Sequence, residues 1–297
     1  MIASLFLHPT AFVKMIEENV KDLVHPGNPR VTQFDNALSD HMPVVADVPG
    51  VASLVSWNIW NPAHKRHITN TDTNPDNQRL AHAWFVQDSN AKEREECLIK
   101  NIKKAVEMQN IVCLQEVWPE FKDQLVQSFT ELAVVHATCI SKENDDMNVI
   151  VIPFKYTILG KQEFLAPPAW KRMTHAYTIW NNETSKQFTV LNLHMPFKRA
   201  TAMFADVLKA AAANPSVWAC PFFICGDLNI SSRADKPKDG EHLSIIQDIL
   251  PSARIAHPLP PYYTHCGHVA NGANGVMSQL DAFDYIIWAN HTPDNAA

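Results

Sequence analysis

Short apolar runs that stop on a single polar residue recur along this chain, and they constrain its fold more than any other feature. Val, Ile and aromatic residues dominate the runs that read as strands: Pro43–Val48, Ser53–Ile59, Ile111–Val117, Asn148–Pro153, Ala176–Trp180, Phe188–Leu193, Pro221–Cys225 and Phe283–Trp288. Amphipathic stretches between them read as helices: Thr10–Val24, Lys92–Gln109, Pro119–Leu132, Arg199–Ala213 and Glu241–Leu250. In the first of these, Phe12, Ile16, Val20 and Leu23 are spaced to share one helical face. No repeat stands out, and no Ser/Gly-rich linker divides the sequence. The pattern therefore predicts one domain over 1–297, with strands inside and helices outside. The weakly patterned stretch 61–91, rich in Asn, Asp and His, is expected to form a long loop or lid; loops of that length in compact domains are usually functional or disordered.

Composition removes several classes. With 46% hydrophobic residues over 297, a full core can be buried. A formal net charge of -6 argues against a basic nucleic-acid coat, although a local groove can still hold phosphates. No apolar run reaches the roughly 18 residues of a membrane span. The apolar start, Met1 to His8, lacks the basic flank of a signal peptide, so an intracellular location, or delivery without such a peptide, is expected. The cysteines, Cys97, Cys113, Cys139, Cys220, Cys225 and Cys266, form no C-x-x-C pair and read as free thiols in a reducing compartment; a Cys220–Cys225 disulfide is not required.

The polar residues at the strand ends carry the chemistry. Ser56-Trp57-Asn58-Ile59-Trp60-Asn61 presents Asn58, Cys113-Leu114-Gln115-Glu116-Val117-Trp118 presents Glu116, and Leu191-Asn192-Leu193-His194-Met195-Pro196 presents His194. Phe223-Ile224-Cys225-Gly226-Asp227-Leu228-Asn229 presents Asp227 and Asn229. A carboxylate just past a buried strand is held rigidly while its head meets solvent, the disposition that a hard cation such as Mg²⁺ (or Mn²⁺) requires. Any one of these motifs taken alone is also an ordinary strand-end turn.

Taken together and in order, these motifs resemble the endonuclease/exonuclease/phosphatase superfamily of metal-dependent phosphoesterases. The family pattern runs W/F-N, Q-E, H, G-D-x-N, an Asp before an aromatic, and S-D-H-x-P; Asp284-Tyr285-Ile286 fits the fifth piece. The resemblance implies a four-layer α/β sandwich of two packed, mainly antiparallel sheets with outer helices. It departs in one respect: Ser39-Asp40-His41-Met42-Pro43 matches the family's last motif but comes first here. Either the chain is circularly permuted, with 1–48 supplying the family's C-terminal helix, strand and S-D-H motif, or 1–48 is the tail of a neighbouring copy. Permutation is favoured because the pieces make one complete set and Val48-Pro49-Gly50-Val51 can join the two strands as a tight turn.

The resemblance also implies roles. His41 would be the base for water, with Asp284 fixing its tautomer. Glu116 would be the principal metal ligand, with Asn58 and Asp40 completing or supporting the site. Asp227 would orient the water or touch a second metal, and Asn229 and His194 would hold phosphoryl oxygens. The expected activity is hydrolysis of a phosphate ester, with nucleic acid the first substrate class and a lipid headgroup (sphingomyelin, or a phosphoinositide for phosphatase action) the second. A catalytically inactive binding module is the alternative of another class, and the intact residue set argues against it. Pro168-Ala169-Trp170-Lys171-Arg172 resembles a 5-phosphatase motif but lacks its Asp and precedes G-D-x-N, so it reads as coincidence. Lys171, Arg172, Lys198 and Arg199 read either as solvated surface or as contacts to substrate phosphates, His265-Cys266-Gly267-His268 as a substrate-side loop, and His64 and His67 as exposed loop residues.

Overall fold

The computed structural model describes Ser39, His41, 43–64, 88–141, 146–165, 173–196, 200–214, 220–230, 246, 248–250, 253–256, 265–266, 280–281 and 284–289. Asp40, the helix expected over Thr10–Val24, His67, and the residues Lys171, Arg172, Lys198 and Arg199 lie outside them.

The strands are β1 (Val44–Val48), β2 (Ala52–Asn58), β3 (Ile111–Val117), β4 (Ala133–Ser141), β5 (Asp146–Pro153), β6 (Tyr156–Leu165), β7 (Met173–Asn181), β8 (Lys186–His194), β9 (Phe222–Asp227), β10 (Arg254–Ala256), β11 (His265–Cys266), β12 (Leu280–Asp281) and β13 (Asp284–Ala289). The helices are α1 (Asp88–Glu107), α2 (Pro119–Phe129) and α3 (Ala200–Ala212). One sheet has the order β1-β2-β3-β5-β4 and the other β10-β13-β9-β8-β7-β6, while β11 and β12 pair separately. In each large sheet a single parallel pair, β2 with β3 and β8 with β9, sits among antiparallel neighbours.

Three apolar layers hold the sandwich together. Val44, Leu54, Ile111, Cys113 and Ile150 of the first sheet face Ile179, Phe188, Val190, Phe223, Cys225 and Ile286 of the second. The outer face of the first sheet takes Leu98, Ile102, Ala105 and Val106 of α1 and Phe121, Leu125 and Phe129 of α2. That of the second takes Phe204, Val207, Leu208 and Ala211 of α3. Each set recurs at three or four residues, the helical period that gives one apolar stripe. Pro119 starts α2 directly after extended Trp118, where its missing N–H costs nothing. The four-layer α/β/β/α architecture is the expected one.

β4 and β6 were not expected. Both are edge strands, and β6 leaves Leu159, Lys161 and Glu163 exposed. A strand with one wet face and one free edge carries charge along its length and shows no continuous apolar run. The Val48–Val51 turn forms as expected: Val51 N donates to Val48 O at 2.9 Å, and Gly50 takes φ 72° behind Pro49. It lays β1 antiparallel on β2, in register from Val44 against Ser56 to Val48 against Ala52. Cys113, Cys220 and Cys225 are buried free thiols. Of the segment 61–91, residues 62–64 form a 3₁₀ turn and α1 begins at Asp88, so both ends of the expected loop are regular structure.

Candidate active site

Both parallel pairs end on polar residues. Asn58 ends β2 opposite Gln115 of β3, and His194 ends β8 opposite Asp227 of β9. β13 starts at Asp284, paired with Asp227, and His41 precedes β1, which runs beside β2. Two backbone departures aim the side chains. β3 is irregular between Leu114 and Val117, and Glu116 there has φ 58°, an uncommon left-handed conformation; a bulge of this kind re-aims a side chain. Gln115 accordingly turns inward, donating to Asn192 Oδ1 at 2.8 Å, while Glu116 reaches the rim. Gly226 sits at φ 155°, where a Cβ would lie 1.9 Å from Leu193 O, so only glycine lets β8 and β9 come together below His194 and Asp227.

The ends converge on one cluster. His41 Nδ1 is 2.8 Å from Asp284 Oδ2, and its Nε2 is 3.8 Å from Asp227 Oδ2. Ser39 Oγ donates to Asn58 O at 2.7 Å and accepts from His41 N, and Trp57 Nε1 donates to His41 O at 3.0 Å, which ties the His41 segment to β2. Asn58 Nδ2 donates to Glu116 Oε1 at 2.9 Å and to Asp227 Oδ2 at 3.0 Å. His194 Nε2 lies 3.6 Å from Glu116 Oε1 and 3.7 Å from Asp227 Oδ2. Asn229, at φ 51°, donates its backbone N–H to Asp227 Oδ1 and its amide to Met195 O at 2.7 Å.

The ligand atoms of Glu116, His194 and Asp227 lie within 4.8 Å of one another, as do those of His41, Asp227 and Asp284. Two carboxylate oxygens and an imidazole nitrogen so disposed are a donor set that fits a divalent cation. Asn58 enters this cluster through its nitrogen, since its Oδ1 accepts from Trp60 N. Burial pushes the Asp227 carboxyl up to about 7; Asp284 adds to the rise, while His41 and the hydrogen bonds from Asn58 and Asn229 oppose it.

Sequence reasoning missed a second layer. Arg94 of α1 is buried and donates to Ile59 O and, at 3.0 Å, to Trp60 O, pinning the segment that follows β2. Asn61 N donates to Glu116 Oε2 at 3.1 Å and Asn61 Nδ2 to the buried Asp146 at 2.7 Å. His64 is not the exposed loop residue that was expected: its side chain is 20% exposed and its Nε2 is 3.1 Å from Asp146 Oδ2. The one available signal was Asn61 itself, which closes the β2 motif; Asp146 lay in a polar run just before the expected Asn148–Pro153 strand and was not singled out.

No known family profile and no curated protein matches the sequence. Solved structures do match. The human Nocturnin catalytic domain with bound sulfate aligns at 18% identity and TM-score 0.54, over 84% of this chain and 86% of that one. ANGEL2, a 2′,3′-cyclic phosphatase in complex with adenosine-2′,3′-vanadate, aligns at 11% identity and TM-score 0.55, over 85% and 86%. An endonuclease/exonuclease/phosphatase protein from Bacteroides vulgatus aligns at 16% and 0.53, over 68% and 81%. The chain therefore has the endonuclease/exonuclease/phosphatase fold.

Proposed function

We propose that this protein is a metal-dependent phosphoesterase, with nucleic acid or a nucleotide as its substrate. The observation that carries the reading is the convergence of an imidazole backed by a buried carboxylate, His41–Asp284, on a carboxylate–imidazole cluster that fits a divalent cation. In this reading His41 takes the proton of the attacking water on Nε2, while Asp284 holds the Nδ1 proton and stabilises the imidazolium that forms. Glu116 is the principal ligand, with Asp227 and His194 beside it, and Asn58 is a strut that holds the Glu116 and Asp227 carboxylates together. Asn229 steadies Asp227 through its backbone N–H. A bound Mg²⁺ or Mn²⁺ supplies charge stabilisation for the phosphoryl oxygens. The phosphate-like ligands held by two neighbours, sulfate and an adenosine vanadate, support the substrate class.

The His41–Asp284 contact also supports reading 1–297 as one permuted catalytic domain, in which 1–48 supplies what the family order places last. A chain with 1–48 moved behind residue 297 through a flexible linker is then expected to keep its activity, and its inactivity as a folded protein would sink the permutation.

The test of function is hydrolysis of plasmid, single-stranded DNA, poly(A), sphingomyelin and phosphoinositides with Mg²⁺ or Mn²⁺. The nucleic acids are expected to be cleaved, EDTA to abolish cleavage, and Glu116→Gln to lower it by a factor on the order of 10³. Cleavage of a lipid headgroup alone would reassign the substrate, and activity that survives EDTA would overturn the reading.

A further inference from the structure

One side chain of α1 reaches across the ends of two strands. Arg94 is 1% exposed, and its Nη2 donates to Ile59 O and, at 3.0 Å, to Trp60 O, the first two carbonyls after β2. The same guanidinium lies over the ring of Trp118, 5.7 Å from its centre, one residue past the end of β3. Resting on the reading of Glu116 as a metal ligand, we propose that Arg94 is a positioning residue: it locks the ends of β2 and β3 together and thereby sets the affinity of the site for its divalent cation.

The β2 side of the lock runs directly to the carboxylates. Trp60 N donates to Asn58 Oδ1 at 2.9 Å, which leaves Asn58 Nδ2 turned to Glu116 Oε1 and Asp227 Oδ2. Asn61 N donates to Glu116 Oε2 at 3.1 Å. Trp60 stands between these two donors at φ 57°, a conformation that a bulky residue keeps only where its surroundings over-determine it. The two hydrogen bonds from Arg94 to this stretch supply that constraint.

The β3 side is held by packing. Glu116 has φ 58°, and two residues on Trp118 lies between the guanidinium and Phe121 of α2, with the two rings stacked at 4.7 Å. Gln124 of α2 donates to Glu95 of α1 at 2.7 Å, so the helix that carries Arg94 is tied to the helix that follows Trp118. Both left-handed residues, Trp60 and Glu116, therefore sit in segments gripped by one buried cation. A cation is buried at a cost unless its donors are used, and here they fix backbone rather than meet solvent. Groups that orient a metal ligand act on metal affinity as well as on fold.

The experiment measures Mn²⁺ binding to the metal-stripped full chain by electron paramagnetic resonance of the free ion, alongside thermal melts. Arg94→Met keeps the length of the side chain and removes its charge and donors; its Kd for Mn²⁺ is expected to rise roughly 10–100-fold. Arg94→Lys restores a cation and N–H donors but not the planar group over Trp118, and should recover part of that loss. Phe129→Leu, at the other end of α2 in the apolar layer, should lower the melting temperature and leave Kd unchanged. A folded Arg94→Met with the wild-type Kd, or an equal rise in Phe129→Leu, overturns the positioning role and leaves the phosphoesterase reading standing. If Arg94→Met fails to fold, Arg94→Lys decides: a raised Kd upholds the role and a wild-type Kd overturns it. A wild type that binds no Mn²⁺ overturns both.

Discussion

The two sheets are built on one plan and differ in what they carry at the rim. β1-β2-α1-β3-α2-β4-β5 gives an antiparallel pair, a parallel pair and two more antiparallel pairs; β7-β8-α3-β9-β10-β13, with helical residues 246 and 248–249 before β10, gives the same sequence of pairings. Superposed by register, Asn58 answers to His194 and Gln115 to Asp227, Leu114 to Gly226 and Cys113 to Cys225. Continuing along the antiparallel neighbour, Val149 answers to Tyr285 and Asn148 to Asp284. One half holds amides where the other holds an imidazole and two carboxylates. Two of the amides are spent inside, Gln115 donating to Asn192 and Asn148 donating to Asn192 O at 3.0 Å, while Asn58 turns to the Glu116 and Asp227 carboxylates. The charged half turns its groups on one another and on His41. A shared scaffold thus supplies both a neutral wall and a titrating one, and the chemistry lies where the plan is broken.

Removing that difference should have the largest effect. Asp284→Asn gives the second half the residue type of the first at that position, and His41→Ala removes the base itself. General base catalysis contributes roughly 10²–10⁴-fold, so kcat is expected to fall by that order in both, with binding of Mn²⁺ retained. Near wild-type turnover in His41→Ala would show that the His41–Asp284 pair is structural.

Gly226 marks a second break, for its counterpart is Leu114. Gly226→Ala sets a methyl against Leu193 O and pushes apart the two strands that carry His194 and Asp227. The expected cost is on the order of 3 kcal/mol or more, a drop in melting temperature of roughly 10 °C or loss of soluble protein. A melt within a degree or two of wild type would mean that β8 and β9 do not approach so closely.

The carboxylates at the matched positions should also make stability depend on pH where the amides opposite them in the plan cannot. Asp227 is held protonated up to about 7, chiefly by burial, whereas an unfolded Asp has a value of 3.8. Folding therefore favours the protonated form, so this group's stabilisation is present below pH 4 and is lost as pH rises toward 7. The metal-free protein should melt progressively lower over that interval, Asp227→Asn should flatten the slope, and added Mn²⁺ should restore stability near neutrality. An equal slope in Asp227→Asn would assign the effect elsewhere.

What could be read from the sequence follows from this division. Asp227, Glu116, His194 and His41 were legible because their motifs, taken together and in order, resemble one family pattern, whereas each alone reads as an ordinary turn. Their neighbours were not: His64 meets Asp146 across 82 positions, and Gln115 meets Asn192 across 77, contacts that only the packed sheets create. The shared plan was invisible because it is written in strand register while the residues at the matched positions mostly differ. Edge strands β4 and β6 escaped because one wet face breaks up the apolar run.

Cys113 and Cys225, with Ile150 and Ile286 beside them, are matched positions where the residues agree, and the two cysteines give the finest test. Both thiols are wholly buried in the layer between the sheets. Burial pushes the Cys113 thiol well up, and Cys225 adds to the rise. Removing either sulfur opens a small void in that layer. Cys113→Ala and Cys225→Ala should therefore each cost about 1 kcal/mol and cost nearly the same. Because both thiols lie in the same buried layer and Cys225 bears on Cys113, the double variant should depart from the sum of the two by roughly 0.5 kcal/mol or more, whereas independent sites would add. Unequal single costs would show that the halves are matched in register but not in packing; strict additivity in urea melts would show that the sulfurs do not share a contact.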